Sequence, residues 1–397
     1  MVFRRSRRNI RRAPVRRRRA YARRRTVTRR RRAPATNRAV NRANTPCRCP
    51  GELDPGQKFV AVQADPFEPK FAGGKVPDSS TIPSIAAPVT YNRKCNSLAA
   101  SQPLWAQCYA FYPTFEAEHI QALGVDATTW TWVGATVNAH PQATNVDNQF
   151  EVYRPVAHAI RVSSPLAPTT TTGFVHIALV IETGFSAAAT GGSQYLQLPT
   201  TLDQLSGYAF YKRVTLASLT QSPLTLINKW TDETAFRYSS PYANPISTGG
   251  TGGPTMANQF HIPLSWGTLL IAVEGASTSI TPGSVSFVQC EVVTHIEGIP
   301  QRGSPIIGST AAPYSSSTLN AVSQAVANTD FSHNEDQQDS TISSYMGELM
   351  NAAGNNPHIR QIGERLAGMA ARGVASWAAG HVGGVGDVAN PNRLLQY

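Results

Sequence analysis

Acidic residues are missing from the first 51 positions of this 397-residue chain: the earliest is Glu52, although 24 Asp+Glu follow. The same segment holds 20 of the 36 Lys+Arg, leaving 16 against 24 on the remainder, so a +20 arm is joined to a −8 body within a net charge of +12. Like charge at this density repels itself and buries nothing, which excludes a packed domain before residue 51 until a polyanion neutralises it. Cysteine is scarce: Cys47, Cys49, Cys95, Cys108 and Cys290 are odd in number, and only Cys47 and Cys49 are close in sequence. That pattern fits neither a disulfide framework nor a zinc site, and buried reduced thiols are expected. No stretch of 18 uncharged apolar residues occurs and the N-terminus has no apolar signal core, so neither a membrane span nor secretion by that route is expected. HExxH, GxSxG, a Walker loop and a GxGxxG opening a helix are all absent, which argues against an ordinary enzyme.

What the arm does contain is arginine. Lysine first appears at Lys58, and Arg4, Arg5, Arg7, Arg8, Arg11, Arg12, Arg16, Arg17, Arg18, Arg19, Arg23, Arg24, Arg25, Arg29, Arg30, Arg31 and Arg32 form the dense part of the segment. A guanidinium keeps its charge at any accessible pH and grips phosphate oxygens in a bidentate fork. With only Phe3 and Tyr21 able to stack on bases, residues 1–50 read as a nucleic-acid arm that neutralises phosphate without reading sequence. Nuclear import is a second use of the same composition.

Residues 51–83 are rich in Pro, Gly and Asp and read as a linker in which only Phe59–Val62 resembles a short strand. From residue 84 to 300 eight β-rich runs alternate with turn-rich gaps: PVTYNRKC, PLWAQCYAFY, FEVYRPVAHAIRV, FVHIALVIE, YKRVTLASL, LTLINKW, GTLLIAVE and VSFVQCEVVTHIE. Within them polar and apolar positions alternate with period two, as in Val288, Cys290 and Val292 against Gln289 and Glu291. Eight strands joined by long excursions (113–148, 184–208 and 228–263) predict an all-β, eight-stranded jelly-roll sandwich with function-bearing surface loops. One excursion holds Thr201 and Gln204, spaced to cap a short helix.

Residues 301–397 shift to Ser, Ala, Asn, Gln and Gly and read as a peripheral, partly helical tail. Weak helical patches fall at TLNAVSQAVA and TISSYMGELMNAA. An amphipathic helix is predicted over about 357–379, with Ile359, Ile362, Leu366, Met369, Val374 and Trp377 on one face. Its basic polar face suits either packing against protein or a membrane interface. STGGTGGPT lacks the ending of a phosphate cradle and reads as a surface loop. Asp330, His333, Glu335, Asp336 and Asp339 miss the spacing of a calcium loop, and no metal site is assigned.

An arginine arm, a linker with ADPFEPKFAGGKVPD, an eight-strand body ending in THIEGIP and an amphipathic tail together resemble the nodavirus-like icosahedral capsid proteins, including the similar capsid proteins of diatom single-stranded DNA viruses (bacilladnavirus type). The resemblance rests on Asp65, Gly73–Lys75 and Val76–Asp78, and it covers the layout of nearly the whole chain. It implies a T=3 shell of self-assembling jelly-roll subunits, with the arm on a single-stranded DNA or RNA genome. A virion location, assembly in the host cytoplasm or nucleus, and contact with a host receptor or membrane follow from it. It also implies no cofactor beyond calcium between subunits, on Asp65, Asp78, Asp330, Glu335 and Asp336. The family's self-cleavage would fall at Asn351–Ala352, where the Asn351 amide attacks its own carbonyl carbon while Asp65 shuttles protons. A cellular nucleic-acid-condensing protein with a β-sandwich oligomerisation domain would share the arm.

Overall fold

The computed structural model of the chain describes residues 53–96, 106–113, 117–169, 171–181, 184–187, 194–238, 245–247, 259–261, 265–275, 286–334, 337–354 and 359–364. Its strands, in chain order, are β1 (Ile85–Asn96), β2 (Gln107–Phe111), β3 (Ala117–Gly124), β4 (Trp130–Ala139), β5 (Phe150–Ser163), β6 (Phe174–Val180), β7 (Gly184–Ala187), β8 (Gln194–Gln197), β9 (Phe210–Thr215), β10 (Leu224–Ile227), β11 (Pro245–Ser247), β12 (Gln259–His261), β13 (Thr268–Glu274), β14 (Ser286–Pro300) and β15 (Ser332–Asn334). The helices are α1 (Pro55–Ala64), α2 (Ala143–Gln149), α3 (Leu202–Ser206), α4 (Leu216–Leu219), α5 (Ser316–Asn328) and α6 (Gln338–Ala353).

Each of the eight predicted runs contains a strand, although the LASL of the fifth forms helix α4, and the pairing of these strands defines the architecture. One sheet runs β1-β14-β5-β10-β15 and the other β4-β3-β2-β13-β6-β9, antiparallel throughout. Numbering the predicted eight from first to last, the sheets read 1-8-3-6 and 2-7-4-5, the doubled Greek key of a jelly roll. The hairpin β3–β4 widens the second sheet and β15 the first. Between the sheets lies a core of Tyr109, Phe111, Ile160, Ile177, Leu226, Ile271 and Val292.

Two of the excursions carry ordered structure in their described residues. Residues 113–148 supply β3 and β4, closed by a turn in which Asp126 Oδ1 accepts from the Thr128 and Thr129 amides at 2.7 and 2.8 Å. Residues 198–206 lie on the outer face of the second sheet, where Trp130 and Trp132 both donate their indole N–H to Pro199 O, at 2.7 and 2.8 Å. This second covering explains why every residue of β2 is buried despite its alternating pattern: Cys108 and Ala110 face Leu202 and Leu205, while Tyr109 and Phe111 face the inter-sheet core. Thr201 caps α3 by accepting from the Gln204 amide at 3.1 Å, as expected, but the Gln204 side chain accepts from Thr200 N rather than from Thr201 N.

Two expectations fail. Phe59–Val62 is not a strand but lies in α1. Asp54 and Gln57 form a reciprocal capping box, with Gln57 N to Asp54 Oδ1 at 2.9 Å and Asp54 N to Gln57 Oε1 at 3.1 Å, and Pro55 occupies the first turn. The run looks uniformly apolar because the helix is covered on all sides, so no polar stripe reveals its period. The second correction concerns the tail. The segment after Pro300 is not peripheral: α5 and α6 pack with α1 into one apolar cluster on the outer face of the first sheet. Phe59, Val62, Val156, Trp230, Leu319, Val322, Tyr345 and Leu349 belong to it. Tyr345 donates to Val60 O at 3.0 Å, and Lys229 Nζ caps the end of α5 at Ala327 O and Thr329 O, 3.0 and 2.5 Å away. Of the predicted helix 357–379, residues 359–364 are helical, with Ile359 and Ile362 buried in the same cluster; the rest lies outside the described residues. The described residues from Leu53 onward belong to one compact unit.

Candidate functional site

The motif GGKVPD folds into a buried clasp that holds the linker to the first and last parts of the sandwich. Gly74 permits the close approach: a Cβ there would sit 2.8 Å from Phe59 N. Lys75 then turns inward and donates to three carbonyls, Ser84 O at 2.6 Å, Ser309 O at 2.8 Å and Thr310 O at 3.1 Å. Val76 N donates to Glu297 Oε2 at 3.1 Å, and Ser84 Oγ to Glu297 Oε1 at 2.6 Å. Arg154 on β5 lies directly across from Glu297 on β14 in the strand register. It donates to Glu297 Oε2 through Nε at 3.0 Å and Nη2 at 2.7 Å, and through Nη1 to Phe236 O at 2.9 Å and to the Asp78 carboxylate. Its guanidinium also covers the Tyr238 ring, 4.2 Å from the centroid.

Two cations and two carboxylates thus balance inside the clasp, with Arg154 and Glu297 each only 1% exposed. Burial alone would lower the Arg154 pKa, but the Asp78 bond and the Glu297 charge outweigh it and hold it above the ordinary value. Burial lowers the pKa of Lys75, with Glu297 opposing. Such a network costs desolvation and returns it only while every partner is present. The Lys75 ammonium and the Ser84 hydroxyl are both buried and engaged in hydrogen bonds, so the clasp acts as a fastening. Asp78 and Lys75 belong to the motif read from the sequence, whereas Arg154 and Glu297 were missed. Their signal was a charge placed inside a strand-forming run.

The Asp65 and Asn351 pair is not brought together. Asp65 closes α1, 6% exposed, and accepts from Gln338 Nε2 at 2.7 Å and Phe67 N at 3.1 Å. Burial raises its pKa against the lowering effect of those two bonds, the direction a proton shuttle requires. Gln338, however, opens α6, and Asn351 is exposed in its last turn, where its carbonyl accepts from Gly354 N at 3.3 Å. Asn351 lies thirteen residue steps along continuous helix from Gln338, about 20 Å at 1.5 Å per residue. Within one chain α6 places the two expected cleavage residues at opposite ends, and Asn351 is a helical residue with its carbonyl engaged.

The described calcium candidates, Asp65, Asp78 and Asp330, form no metal-binding group. Asp65 and Asp78 are committed as above, Asp330 accepts from Ser332 N at 3.4 Å, and Glu335 and Asp336 lie outside the described residues. Among the described residues no group of three or more His, Cys, Asp or Glu gathers as a metal site would. The arginines from Arg4 to Arg32 also lie outside the described residues.

Comparison with solved structures finds similarity at low identity. Infectious bursal virus-derived T=1 particles are matched at 10% identity over 76% of this chain and 98% of that one, with a TM-score of 0.45. The infectious bursal disease virus VP2 subviral particle gives 10% identity over 74% and 98%, with a TM-score of 0.44. Tobacco necrosis virus gives 16% over 54% and 97%, with a TM-score of 0.31. No family model and no curated protein matches the chain.

Among the described residues six histidines are buried: His119, His140, His158, His176, His295 and His333. Burial lowers the pKa of each, to about 3 for His119 and His158 and about 4 for His140 and His333. His158 is typical of their setting, its Nδ1 meeting Asn228 Nδ2 at 3.2 Å at the junction of β5 and β10. His176 bridges Tyr211 Oη and Glu274 Oε2, both at 2.7 Å.

Proposed function

We propose that this chain is a viral capsid protein whose folded body self-assembles into an icosahedral shell while its arginine arm packages a single-stranded genome. The observation that carries the reading is the division of charge: a +20 arm without an acidic residue, joined to a −8 jelly roll. A body of that sign repels polyanions, so binding is delegated to the arm and the sandwich is left for subunit contacts. Exposed apolar surface supports the second half. Among the described residues, four of the five exposed large hydrophobics, Ile82, Ile306, Ile307 and Tyr314, lie on two segments tied together, Ser84 to Ser309 and Ser315 N to Pro77 O at 2.9 Å. A concentrated strip of that kind suits contact with another copy. A T=3 shell is the arrangement the nodavirus-like resemblance favours, with the virion as the location.

Negative-stain microscopy of the expressed full chain tests the reading: closed uniform particles are expected. Amorphous aggregates with nucleic acid would favour a cellular condensing protein, and discrete monomers would overturn assembly. Deleting residues 2–43 is expected to leave a folded body whose particles are empty, smaller or irregular. Normal nucleic-acid content in that deletion would overturn the role of the arm.

A further inference from the structure

We infer that Cys95 and Cys290 are a latent staple, two thiols that a peroxide-class oxidant converts into a disulfide joining β1 to β14. Their sulfurs lie 3.8 Å apart across the strand pair, in contact but not bonded. The register sets Arg93 opposite Cys290 and Cys95 opposite Val288, so the cysteines are diagonal neighbours on the face that points into the inter-sheet core. Closing to a bonded distance of about 2.0 Å requires a shift of roughly 1.8 Å. The ladder supplies slack at this point, because its register breaks between Cys95 and Asn96. Access follows from the same geometry. β1 is the edge strand of its sheet, and an edge strand end opens at lower cost than the sheet centre. Cys108 packs in the separate cluster on the outer face of the second sheet, so it does not compete for either sulfur.

The chemistry balances with a peroxide alone. One sulfur, having lost its proton, attacks a peroxide oxygen; the O–O bond breaks, water leaves and a sulfenic acid forms. The other sulfur gives up its proton and attacks the sulfenic sulfur, the S–O bond breaks and a second water leaves. Two thiols are oxidised to one disulfide while the peroxide is reduced to two waters. The bond closes a loop between positions 195 residues apart, from the first strand of the jelly roll to the last. Closing so long a loop constrains the unfolded chain strongly and hardens the folded one.

Full-length protein purified under reductant is treated natively with hydrogen peroxide, quenched, alkylated in denaturant and mapped by mass spectrometry. The expected result is one linked peptide pair, Cys95 with Cys290, and a Tm raised by about 5 °C or more that dithiothreitol reverses. Cys95→Ser and Cys290→Ser each abolish the rise, and Cys108→Ser keeps it. Intact thiols at Cys95 and Cys290, their conversion to sulfinic acids, or linkage of either to another cysteine overturns the inference. These readouts come from the wild-type chain, so they stand even where a serine variant folds poorly, and they do not depend on shell assembly.

Discussion

Replacing Glu297 by leucine tests the clasp most directly. The carboxylate receives four bonds: two from Arg154, one from Val76 N and one from Ser84 Oγ. Leucine leaves a guanidinium that is 1% exposed with only the Phe236 carbonyl and Asp78, itself 29% exposed, as polar partners. It also strands a buried amide and a buried hydroxyl. Breaking one side of a buried ion pair costs about 3–5 kcal/mol, most of it the penalty of the charge left behind. At roughly 2–4 °C of Tm per kcal/mol, the expected loss is about 6–20 °C. The double variant Arg154→Met with Glu297→Leu removes the orphaned charge and is expected to recover most of that loss, because an apolar pair of similar volume replaces a buried ion pair at little cost. Differential scanning calorimetry on the single and double variants reads both values. A single variant within 2 °C of wild type, or a double variant as unstable as the two single losses added, would refute the reasoning.

Three further outcomes follow from the same structure. The unfolded imidazole protonates near pH 6.5, whereas His119 and His158 in the fold resist protonation until about pH 3. Falling pH therefore favours the unfolded chain: stability is full above about pH 6.5 and lost progressively below it, by up to about 2 kcal/mol per group at pH 5. Tm measured from pH 7.5 to 5 should fall steadily, and a flat profile would contradict the buried neutral assignments. Gly74→Ala puts a methyl 2.8 Å from the Phe59 amide, so a loss of about 1–3 kcal/mol is expected in urea unfolding, and unchanged stability would mean the segment does not lie against α1. Binding of the full chain to single-stranded nucleic acid should weaken steeply as salt rises from 50 to 200 mM, with little dependence on sequence, and a flat salt response would count against phosphate neutralisation by the arm.

The eight principal strands were legible because residues such as Val288, Cys290 and Val292 keep one parity along an extended chain. Their order in the sheets was not written locally; it needed the fold class. β3 and β4 escaped because AEHIQALG carries helix formers and its strand identity comes from pairing with β2, a case of tertiary context overriding propensity. α1 escaped for the opposite reason, its cap being visible in Asp54, Pro55 and Gln57 while its core hid the helical period. The clasp was half visible. GGKVPD stood out as a motif, but its partners lie 76 residues away at Arg154 and 221 away at Glu297. Asp65 and Gln338 are 273 apart. One local sign did exist: Arg154 inside FEVYRPVAHAIRV and Glu297 at the end of VSFVQCEVVTHIE are charges in strands whose neighbours are buried. A charge in that position demands an opposite partner, so the two runs had to be adjacent strands or one of the charges had to face water. The same logic separates Asp65 from Asn351. Asp65 needed a donor deep in the chain and found Gln338, and a continuous α6 then fixes Asn351 a helix length away, whatever the linker sequence resembles.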